Sequence, residues 1–526
     1  MTGRHLLLLG AGAFALRLAV LALVLTDPAV GLQVDEAQYW DWSRALQWGY
    51  YSKPPAIAAL IAASTALGGD GVIGVRWLAM ATQVAAALAL AGLAHDLAAA
   101  DPRADDPQRP RHAAGWAALI GLSNPIAGLL GLAATTDAPL MLAWTLAAWA
   151  LWRALHGGRR RDWLAFGLAL GAGLLSKYTM AVWLPMLAGL LATARCAPDR
   201  RVGIDRVGVA LALGLAALLV APNLLWNAAA GWPTWHHTAE ITVQAGRGTA
   251  PTDRTALASL AEWLGGQWLM AGPLWLPLWL WQRRRGAATA PLPAAVRTLL
   301  WTLTVPLLTL GALQALHATA QINWTAPAMQ GVVLALALWL APAGRQPLRR
   351  LAGAVVALHL LIVTALPLVG TAMRAVDGPQ ALPPRALDLW ARMRGWTPAF
   401  AALRPALAGQ PADAVLIGAD RTLIAHGRHA WRDLPGRWHA WRPDTERPPI
   451  DHYQLTAGWP AGRPTAERDH PLLIVAEGPA LPPGWLLALE TPQRLADVQV
   501  AQGAGRTLHL TLWRSRWRDT PPGEAR

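Results

Sequence analysis

The chain has 526 residues, of which 54% are hydrophobic and only 14% are charged. That balance excludes an ordinary soluble enzyme and is typical of a polytopic membrane protein. The formal net charge of +14 does not indicate nucleic-acid binding, because the arginines cluster in alternate loops between apolar runs.

Nine apolar runs are about long enough to cross a bilayer, since ~20 helical residues span it. They lie near residues 5–26, 72–99, 113–132, 138–155, 204–225, 261–281, 295–316, 322–341 and 350–370. Two shorter runs, 163–175 and 178–194, are separated at Lys177 and predict a broken or re-entrant hairpin. The first run is interpreted as a retained span and not as a cleaved signal peptide. The pattern predicts an α-helical membrane protein with about eleven spans.

Arginine clusters occupy every second loop and predict the orientation of the chain, because positive loops stay cytoplasmic. They comprise Arg103, Arg109 and Arg111; Arg159, Arg160 and Arg161; Arg195, Arg200, Arg201 and Arg206; Arg283, Arg284 and Arg285; and Arg345, Arg349 and Arg350. The N-terminus is then cytoplasmic, and the loops of Asp35, Asp137, His236 and Asn323 open on the other side. The single Cys196 allows no intramolecular disulfide and suggests no cysteine-based metal site.

Hydrophobicity falls after about residue 368, which predicts a membrane domain over 1–370 and a C-terminal extramembrane domain over 371–526. Buried-strand patterns at 414–418 and 472–476, and further ones at 498–500 and 507–512, predict a small α/β domain. A short amphipathic helix is predicted at 385–395. Loop or frayed chain is predicted near 431–449 and 515–526.

The chain has only two lysines, Lys53 and Lys177, and each follows a serine. Lys53 ends a loop rich in acids and aromatics, with the segments 35–40 (DEAQYW) and 49–55 (GYYSKPP). The two prolines predict a helix start, which would place the Lys53 ammonium beside a helix N-terminus, where anions bind. The alternative is an interfacial anchor with solvated carboxylates and a snorkelling lysine.

These segments resemble the first outer loop of bacterial PMT-type glycosyltransferases, which have the GT-C fold and use polyprenyl-phosphate-linked sugars. Protein O-mannosyltransferases and the lipid A aminoarabinose and galacturonic acid transferases are related to them. Further matches, in the same order, are 135–140 (TTDAPL), 173–179 (GLLSKYT), 222–227 (PNLLWN) and 323–328 (NWTAPA). The resemblance covers roughly residues 1–345 and leaves the C-terminal domain out.

The resemblance implies roles for the first loop. Asp35 becomes the leading catalytic candidate, with Glu36 beside it, and Lys53 the residue at the lipid phosphate, with Tyr50 and Tyr51 as further substrate-binding candidates. In the aminoarabinose branch a glutamate precedes that lysine and helps to hold a metal. This chain has Ser52 there, so no cofactor is assigned and a divalent metal stays open.

The expected chemistry is a single displacement at the anomeric carbon. A carboxylate removes the proton of the acceptor hydroxyl, while cations stabilise the departing phosphate. One such displacement implies inversion, with Asp35 as base and Asp137 as second carboxylate or acceptor positioner.

Five further residues are candidates, each with a structural alternative. Asp137 is also a plausible helix cap, and Arg76 could hold phosphate or snorkel to the interface. Lys177 is functional or part of a structural ion pair. His237, next to His236, binds substrate or belongs to an exposed polar loop. Asn323 contacts substrate or caps a helix.

The sequence therefore predicts sugar transfer from a polyprenyl-phosphate donor to a hydroxyl of lipid A, lipopolysaccharide or another envelope glycoconjugate, a protein included. The reaction is expected at the periplasmic face of the bacterial inner membrane, in contact with membrane lipid and without nucleic acid. One alternative is a transporter or flippase, with charges near the midplane and inverted repeats. Another is a non-catalytic receptor or assembly factor.

Overall fold

The computed structural model describes residues 1–102, 106–196, 205–243, 255–285, 291–318, 320–378, 380–434, 437–442, 447–460, 470–503 and 505–518. Arg103, Arg200 and Arg201 of the predicted cytoplasmic clusters lie outside these residues, and so do parts of the predicted loops at 431–449 and 515–526. The side chains of Arg195 and Cys196 are likewise outside the description.

The described chain forms two compact units. The first consists of Met1–Ala19, Lys53–Gly68 and Arg76–Ala365, and the second of Val20–Ser52, Gly69–Val75 and Leu366–Arg526. The second unit therefore joins the C-terminal region to the segment that carries Asp35. The domain boundary expected near residue 370 stays a prediction.

The first unit is helical. Its helices, assigned by where most of their residues lie, are α1 Gly3–Val24, α3 Ala56–Gly68, α4 Val72–Ala99, α5 Arg109–Ser123, α6 Pro125–Leu130, α7 Asp137–Gly157, α8 Arg160–Ser176, α9 Trp183–Cys196, α10 Arg206–Ala229, α11 Pro233–Val243, α12 Ala256–Ala271, α13 Trp275–Arg284, α14 Ala294–His317, α15 Ala328–Leu340 and α16 Gln346–Asp377. Two 3₁₀ helices, Tyr178–Val182 and Ile322–Thr325, interrupt the series.

Six of these helices, α1, α4, α7, α10, α14 and α16, are long and apolar enough to cross a membrane. They correspond to six of the nine long apolar runs, and the predicted class of multi-pass α-helical membrane protein is confirmed. The other three runs are broken into shorter elements. Asn124 ends α5 and caps α6, since its side-chain oxygen accepts a hydrogen bond from the Ala127 N–H at 2.9 Å, and Gly272 separates α12 from α13 at a φ of 99°.

The predicted break at Lys177 is present. Lys177 has an extended backbone (φ −161°, ψ 133°) between α8 and the 3₁₀ helix Tyr178–Val182. On the N-terminal side, α8 packs closely on α10, because a Cβ at Gly167 would clash with the Ala212 backbone and one at Gly208 with Trp163. Small residues allow helices in a membrane to approach in this way, so α10 supports the helix that leads to the break.

The second unit contains a mixed sheet. Its strands are β1 Val415–Gly418, β2 Arg437–Arg442, β3 Gly458–Pro460, β4 Leu472–Glu477, β5 Gln493–Gly503 and β6 Arg506–Ser515, and its helices are α2 Val34–Arg44, α17 Trp396–Leu403, α18 Arg421–Ala430, α19 His452–Ala457 and α20 Pro483–Leu486. Strands pair in the order β3-β2-β1-β4-β6-β5. The first four are parallel, and β6 and β5 add antiparallel pairs. The predicted α/β character of this region is confirmed.

Two local predictions for the second unit were wrong. Residues 385–395 form only a short 3₁₀ turn, Ala391–Met393, because the chain bends there to bury Arg394 against Asp388 at 2.7 Å and Asp27 at 3.2 Å. Residues 437–442 are strand β2 and not loop. The buried Trp438, Ala440 and Trp441 supply the apolar surface that holds this strand between β1 and β3.

Candidate functional site

Asp35 lies in the first turn of α2, and a capping box fixes that turn. The Asp35 N–H donates to Gln33 Oε1 at 2.5 Å, and the Gln33 N–H donates to Glu36 Oε2 at 2.9 Å. Such reciprocal bonds satisfy the open N–H groups at a helix start. Glu36 is buried and caps the helix. Its predicted catalytic role stays untested, but its carboxylate has a structural task that Asp35 lacks.

The Asp35 side chain projects from that turn and is 45% exposed. Its Oδ1 accepts a hydrogen bond from Arg421 Nη1 at 2.9 Å. Within the described chain, Oδ2 accepts no hydrogen bond. The same Nη1 donates to Gln38 Oε1 at 2.8 Å, so Arg421 contacts two successive turns of α2. One oxygen of Asp35 is thus held and the other is open.

Tyr50 and Tyr51 are buried behind this helix. The Tyr50 ring stacks on Trp42 with centroids 4.3 Å apart, and its hydroxyl donates to the Trp42 carbonyl at 3.1 Å. Burial raises the pKa of the Tyr50 phenol. In this position Tyr50 fixes the shape of the loop, and a substrate contact by either tyrosine stays a prediction.

In the first unit, three of the predicted residues come together. Lys177 Nζ is 2.8 Å from Asp137 Oδ1, and Asn323 Nδ2 donates to Asp137 Oδ2 at 3.0 Å. Both charged side chains are mostly buried, with 17% and 12% exposed. We call these residues the Asp137 cluster. Three separate parts of the sequence motif therefore meet at one carboxylate.

The alternatives for Asp137 and Lys177 are now distinguishable. Thr136 is the N-cap of α7 and makes no side-chain capping bond, while Asp137 is the first residue of the helix. The Asp137 carboxylate binds Lys177 and Asn323 and not the helix N–H groups, which disfavours capping as its role. Lys177 forms the ion pair that the sequence left open as its structural alternative.

A second polar group lies next to Lys177 along the chain. The Tyr178 hydroxyl donates to Asn223 Oδ1 at 2.6 Å and accepts from Asn227 Nδ2 at 3.2 Å. Both asparagines are fully buried in α10, where an unpaired amide would be costly. The bonds fix the chain on one side of the Lys177 break, which explains the PNLLWN match in structural terms.

The remaining candidates of the first unit lie apart from the Asp137 cluster in the sequence, and their roles stay predictions. Lys53 is partly buried, three residues before α3 begins, as the two prolines predicted. Arg76 in α4 is fully buried, which disfavours the snorkelling alternative. His237 is partly buried in α11, whereas His236 is exposed.

Asp137 lines an apolar pocket that encloses about 740 Å³, its open mouth included. The wall consists largely of alanine, leucine and methionine side chains, and the polar residues among them are Arg17, Gln83, Asn124, Asp137 and Gln330. Sequence reasoning missed Arg17, although a single arginine late in an apolar run is itself a signal of function. It also missed Arg421, for which no local signal exists.

The residues do not fit the metal site of the aminoarabinose branch, in which a glutamate precedes the lysine. Throughout the described ranges, no group of three or more His, Cys, Asp or Glu side chains is placed to hold an ion. Ser52 offers only a weak hydroxyl ligand where the aminoarabinose branch has a carboxylate. No chemical step is therefore assigned to a metal here.

Comparison with known proteins identifies a matching family model. A family model described as dolichyl-phosphate-mannose-protein mannosyltransferase matches residues 52–226. This match covers about one third of the chain. The resemblance to PMT-type glycosyltransferases predicted from the first-loop motif is thus confirmed over residues 52–226.

Individual proteins are also similar to this chain. A protein named lipid A galacturonosyltransferase RgtD, from Rhizobium johnstonii, is 31% identical over 325 residues, which are 60% of this chain and 62% of that protein. An undecaprenyl phosphate-alpha-4-amino-4-deoxy-L-arabinose arabinosyl transferase of Pseudomonas aeruginosa is 35% identical over 172 residues, 30% of each chain. The chain thus matches about three fifths of the length of the first of these proteins and less of the second.

The fold has a counterpart over nearly its full length. The crystal structure of ArnT from Cupriavidus metallidurans bound to undecaprenyl phosphate superposes with a TM-score of 0.58 and 15% identity. The superposition covers 97% of this chain and 98% of that one. At this identity the likeness establishes the GT-C fold.

Proposed function

We propose that this protein transfers one sugar from a polyprenyl-phosphate-linked donor to an acceptor hydroxyl of lipid A or a related envelope glycolipid. The observation that carries the proposal is the 31% identity over 325 residues to a protein named as a lipid A galacturonosyltransferase. The reaction is placed at the periplasmic face of the bacterial inner membrane, with the N-terminus cytoplasmic and the C-terminal region periplasmic. A protein acceptor is the less favoured variant.

Asp35 is the proposed general base. Its open Oδ2 takes the proton of the acceptor hydroxyl while that oxygen bonds to the anomeric carbon. The bond from that carbon to the phosphate oxygen breaks, and polyprenyl phosphate leaves with the electron pair. A single displacement of this kind inverts the anomeric centre. Half exposure supports the role, since a base must reach the acceptor.

Lys53 is the proposed partner of the donor phosphate. Its ammonium precedes α3 by three residues, and the N–H groups of a helix start add favourable partial charge for an anion. Stabilising the departing phosphate lowers the barrier most where water is partly excluded. Separately, the apolar pocket beside Asp137 suits a hydrocarbon part of a lipid substrate.

Transfer in reconstituted vesicles tests the proposal. The full chain is inserted with polyprenyl-phosphate galacturonic acid and lipid A, and products are identified by mass spectrometry. We expect a lipid A species one sugar heavier. Asp35→Asn should lower the rate by about 10²- to 10⁴-fold, the usual contribution of a general base.

Asp433→Asn is the matched control, because Asp433 is an exposed carboxylate of the second unit that pairs with Arg404 at 2.6 Å. It should keep the wild-type rate. Undiminished transfer by folded Asp35→Asn would remove Asp35 from its role. Absence of transfer by the wild type with galacturonic acid, aminoarabinose and hexose donors alike would overturn the function itself. Comparing envelope glycolipids of cells with and without the gene then identifies the sugar and acceptor.

A further inference from the structure

Helix α18 of the C-terminal region lies along α2 and contacts it through two ion pairs. Arg421 Nη1 is 2.9 Å from Asp35 Oδ1, and Arg428 Nη1 is 3.1 Å from both oxygens of Asp41. The arginines are seven residues apart and the aspartates six, so both spacings cover about two turns of a helix. We call this pair of contacts the α18 clamp.

The fold places Arg421 at a position where α/β domains bind ligands. From β1 the chain moves to β2 and β3 on one side and returns as β4 on the other side of β1. In open parallel sheets, ligands bind beyond the carboxyl ends of the strands at such a reversal. Arg421 is the third residue after β1. What it contacts there is Asp35.

The surroundings of Arg421 are acidic. Asp420 caps α18, accepting from the N–H groups of Thr422 and Leu423 at 2.7 and 3.0 Å. Burial, followed by the charge of Asp420, raises the pKa of Glu477 at the end of β4. Burial also raises the pKa of Asp451, which caps α19.

Arg421 therefore supplies the positive charge next to Asp35. Without it, the acidic side chains of this region would repel the carboxylate of Asp35. Arg428, the other cation of the clamp, is paired with Asp41. The acidic side chains at this edge of the sheet disfavour the binding of an anionic substrate group there. We therefore assign the Arg421 guanidinium to its contact with Asp35.

We propose that Arg421 is a positioning residue that holds Asp35 Oδ1 so that Oδ2 faces the acceptor, which makes the C-terminal region a working part of the transferase. The inference rests on the proposed function, with Asp35 as base. A carboxylate on a half-exposed helix turn otherwise rotates among several orientations, and only some of them reach a hydroxyl. Fixing one oxygen selects among them, and misplacement by about 1 Å can cost about 10²-fold in rate.

Steady-state kinetics of the full chain in vesicles, with the polyprenyl-phosphate donor and lipid A acceptor that the wild type uses, test this role. Arg421→Gln should lower kcat by about 10- to 10²-fold and leave KM for donor and acceptor unchanged. Arg421→Lys, which keeps the charge but not the planar fork, should recover part of kcat. Arg428→Gln is the matched control, because it breaks the other half of the clamp without touching Asp35, and its kcat per folded molecule should equal that of the wild type.

Three results would overturn the inference while the proposed function stands. They are an unchanged kcat in Arg421→Gln, a raised KM with unchanged kcat, and an equal loss of kcat in Arg428→Gln. If Arg421→Gln does not fold, Arg421→Met replaces it, since it keeps the aliphatic stem but removes the contact with Asp35, and an unchanged kcat there is equally decisive. A wild type without any transfer would instead overturn the proposed function, and Asp35→Asn at full rate would remove Asp35 as base.

Discussion

Asp35 and Asp137 are two aspartates in first turns of helices, yet the two units treat them in opposite ways. Asp137 has both oxygens occupied, by Lys177 and Asn323, and its side chain is 12% exposed. Asp35 has one oxygen held by Arg421 and is 45% exposed. The motif alone makes both look catalytic.

The difference indicates which carboxylate is available for chemistry. A buried ion pair with its hydrogen bonds complete costs several kcal/mol to disrupt, so Asp137 is suited to fixing the three chain segments that meet there. An exposed pair is worth little to stability, so Asp35 can exchange partners without unfolding anything. On this basis we propose a structural role for Asp137 and keep Asp35 as the proposed base.

The strongest test of this comparison is Lys177→Met. The variant leaves the Asp137 carboxylate buried without its cation, which typically costs about 3–5 kcal/mol. We expect a clearly lower melting temperature of the protein in nanodiscs. The double variant Asp137→Leu with Lys177→Met should regain most of it, because an apolar pair replaces a buried ion pair at little cost. A wild-type melting temperature together with lost transfer would instead make Lys177 a substrate ligand and break the comparison.

The sequence motifs identified the residues of the Asp137 cluster but could not assign their role. Lys177 stood out because an ionisable residue at membrane depth is costly, and Asp137 and Asn323 stood out because their segments match the family motifs. That they share one carboxylate depends on packing between segments up to 186 residues apart, and no local pattern encodes this. Hydropathy also does not detect the helix breaks at Asn124 and Gly272. The first arises from the capping side chain of Asn124 and the second from the left-handed backbone of Gly272.

Arg421 shows the other limit of the sequence. It is 386 residues from Asp35 and lies in a region that the family resemblance left out. The strands β1 and β4 were predictable from their short apolar runs. The position of α18 along α2 follows from tertiary packing, so the partner of the leading catalytic candidate could be found only in the folded chain.

Acid pH gives the next test, because it should lower the stability of the second unit. The second unit buries His426 and His452 as neutral rings, and desolvation lowers their pKa values to about 3 and about 4. Because both values lie below the unfolded value of 6.5, stability is complete above pH 6.5 and is lost as the pH falls toward these folded values. At pH 5 the loss is about 2 kcal/mol for each ring.

Peptide-resolved hydrogen exchange at pH 7 and pH 5, corrected for intrinsic rates, measures this loss over α18 and α19. His426→Phe keeps the stack on Trp396, where the ring centroids are 4.3 Å apart, and should remove the share of His426. An equal pH effect in that variant would show that another group carries it.

Asn323→Ala gives a smaller effect within the Asp137 cluster. It removes the donor to Oδ2 but leaves the ion pair with Lys177 in place. A lost hydrogen bond to a charged group typically costs about 1.5–3 kcal/mol, so the melting temperature should fall less than in Lys177→Met. The melting temperature of Asn323→Asp should fall further than that of Asn323→Ala, because the aspartate adds a second carboxylate beside Asp137. If both variants melt like the wild type, Asn323 is not part of the architecture.

The smallest effect on stability is expected for Arg421→Gln. Its ion pair with Asp35 is half exposed on both sides, at 42% and 45%, and pairs of this kind contribute about 0.2–1 kcal/mol. The melting temperature should therefore barely change, even though the rate falls. High salt should likewise change the stability of the wild type very little, since this exposed ion pair contributes little electrostatic stabilisation that salt can screen. A loss as large as that of Lys177→Met would mean that Arg421 holds the fold as the Asp137 cluster does, and the distinction between a structural and a reactive carboxylate would no longer stand.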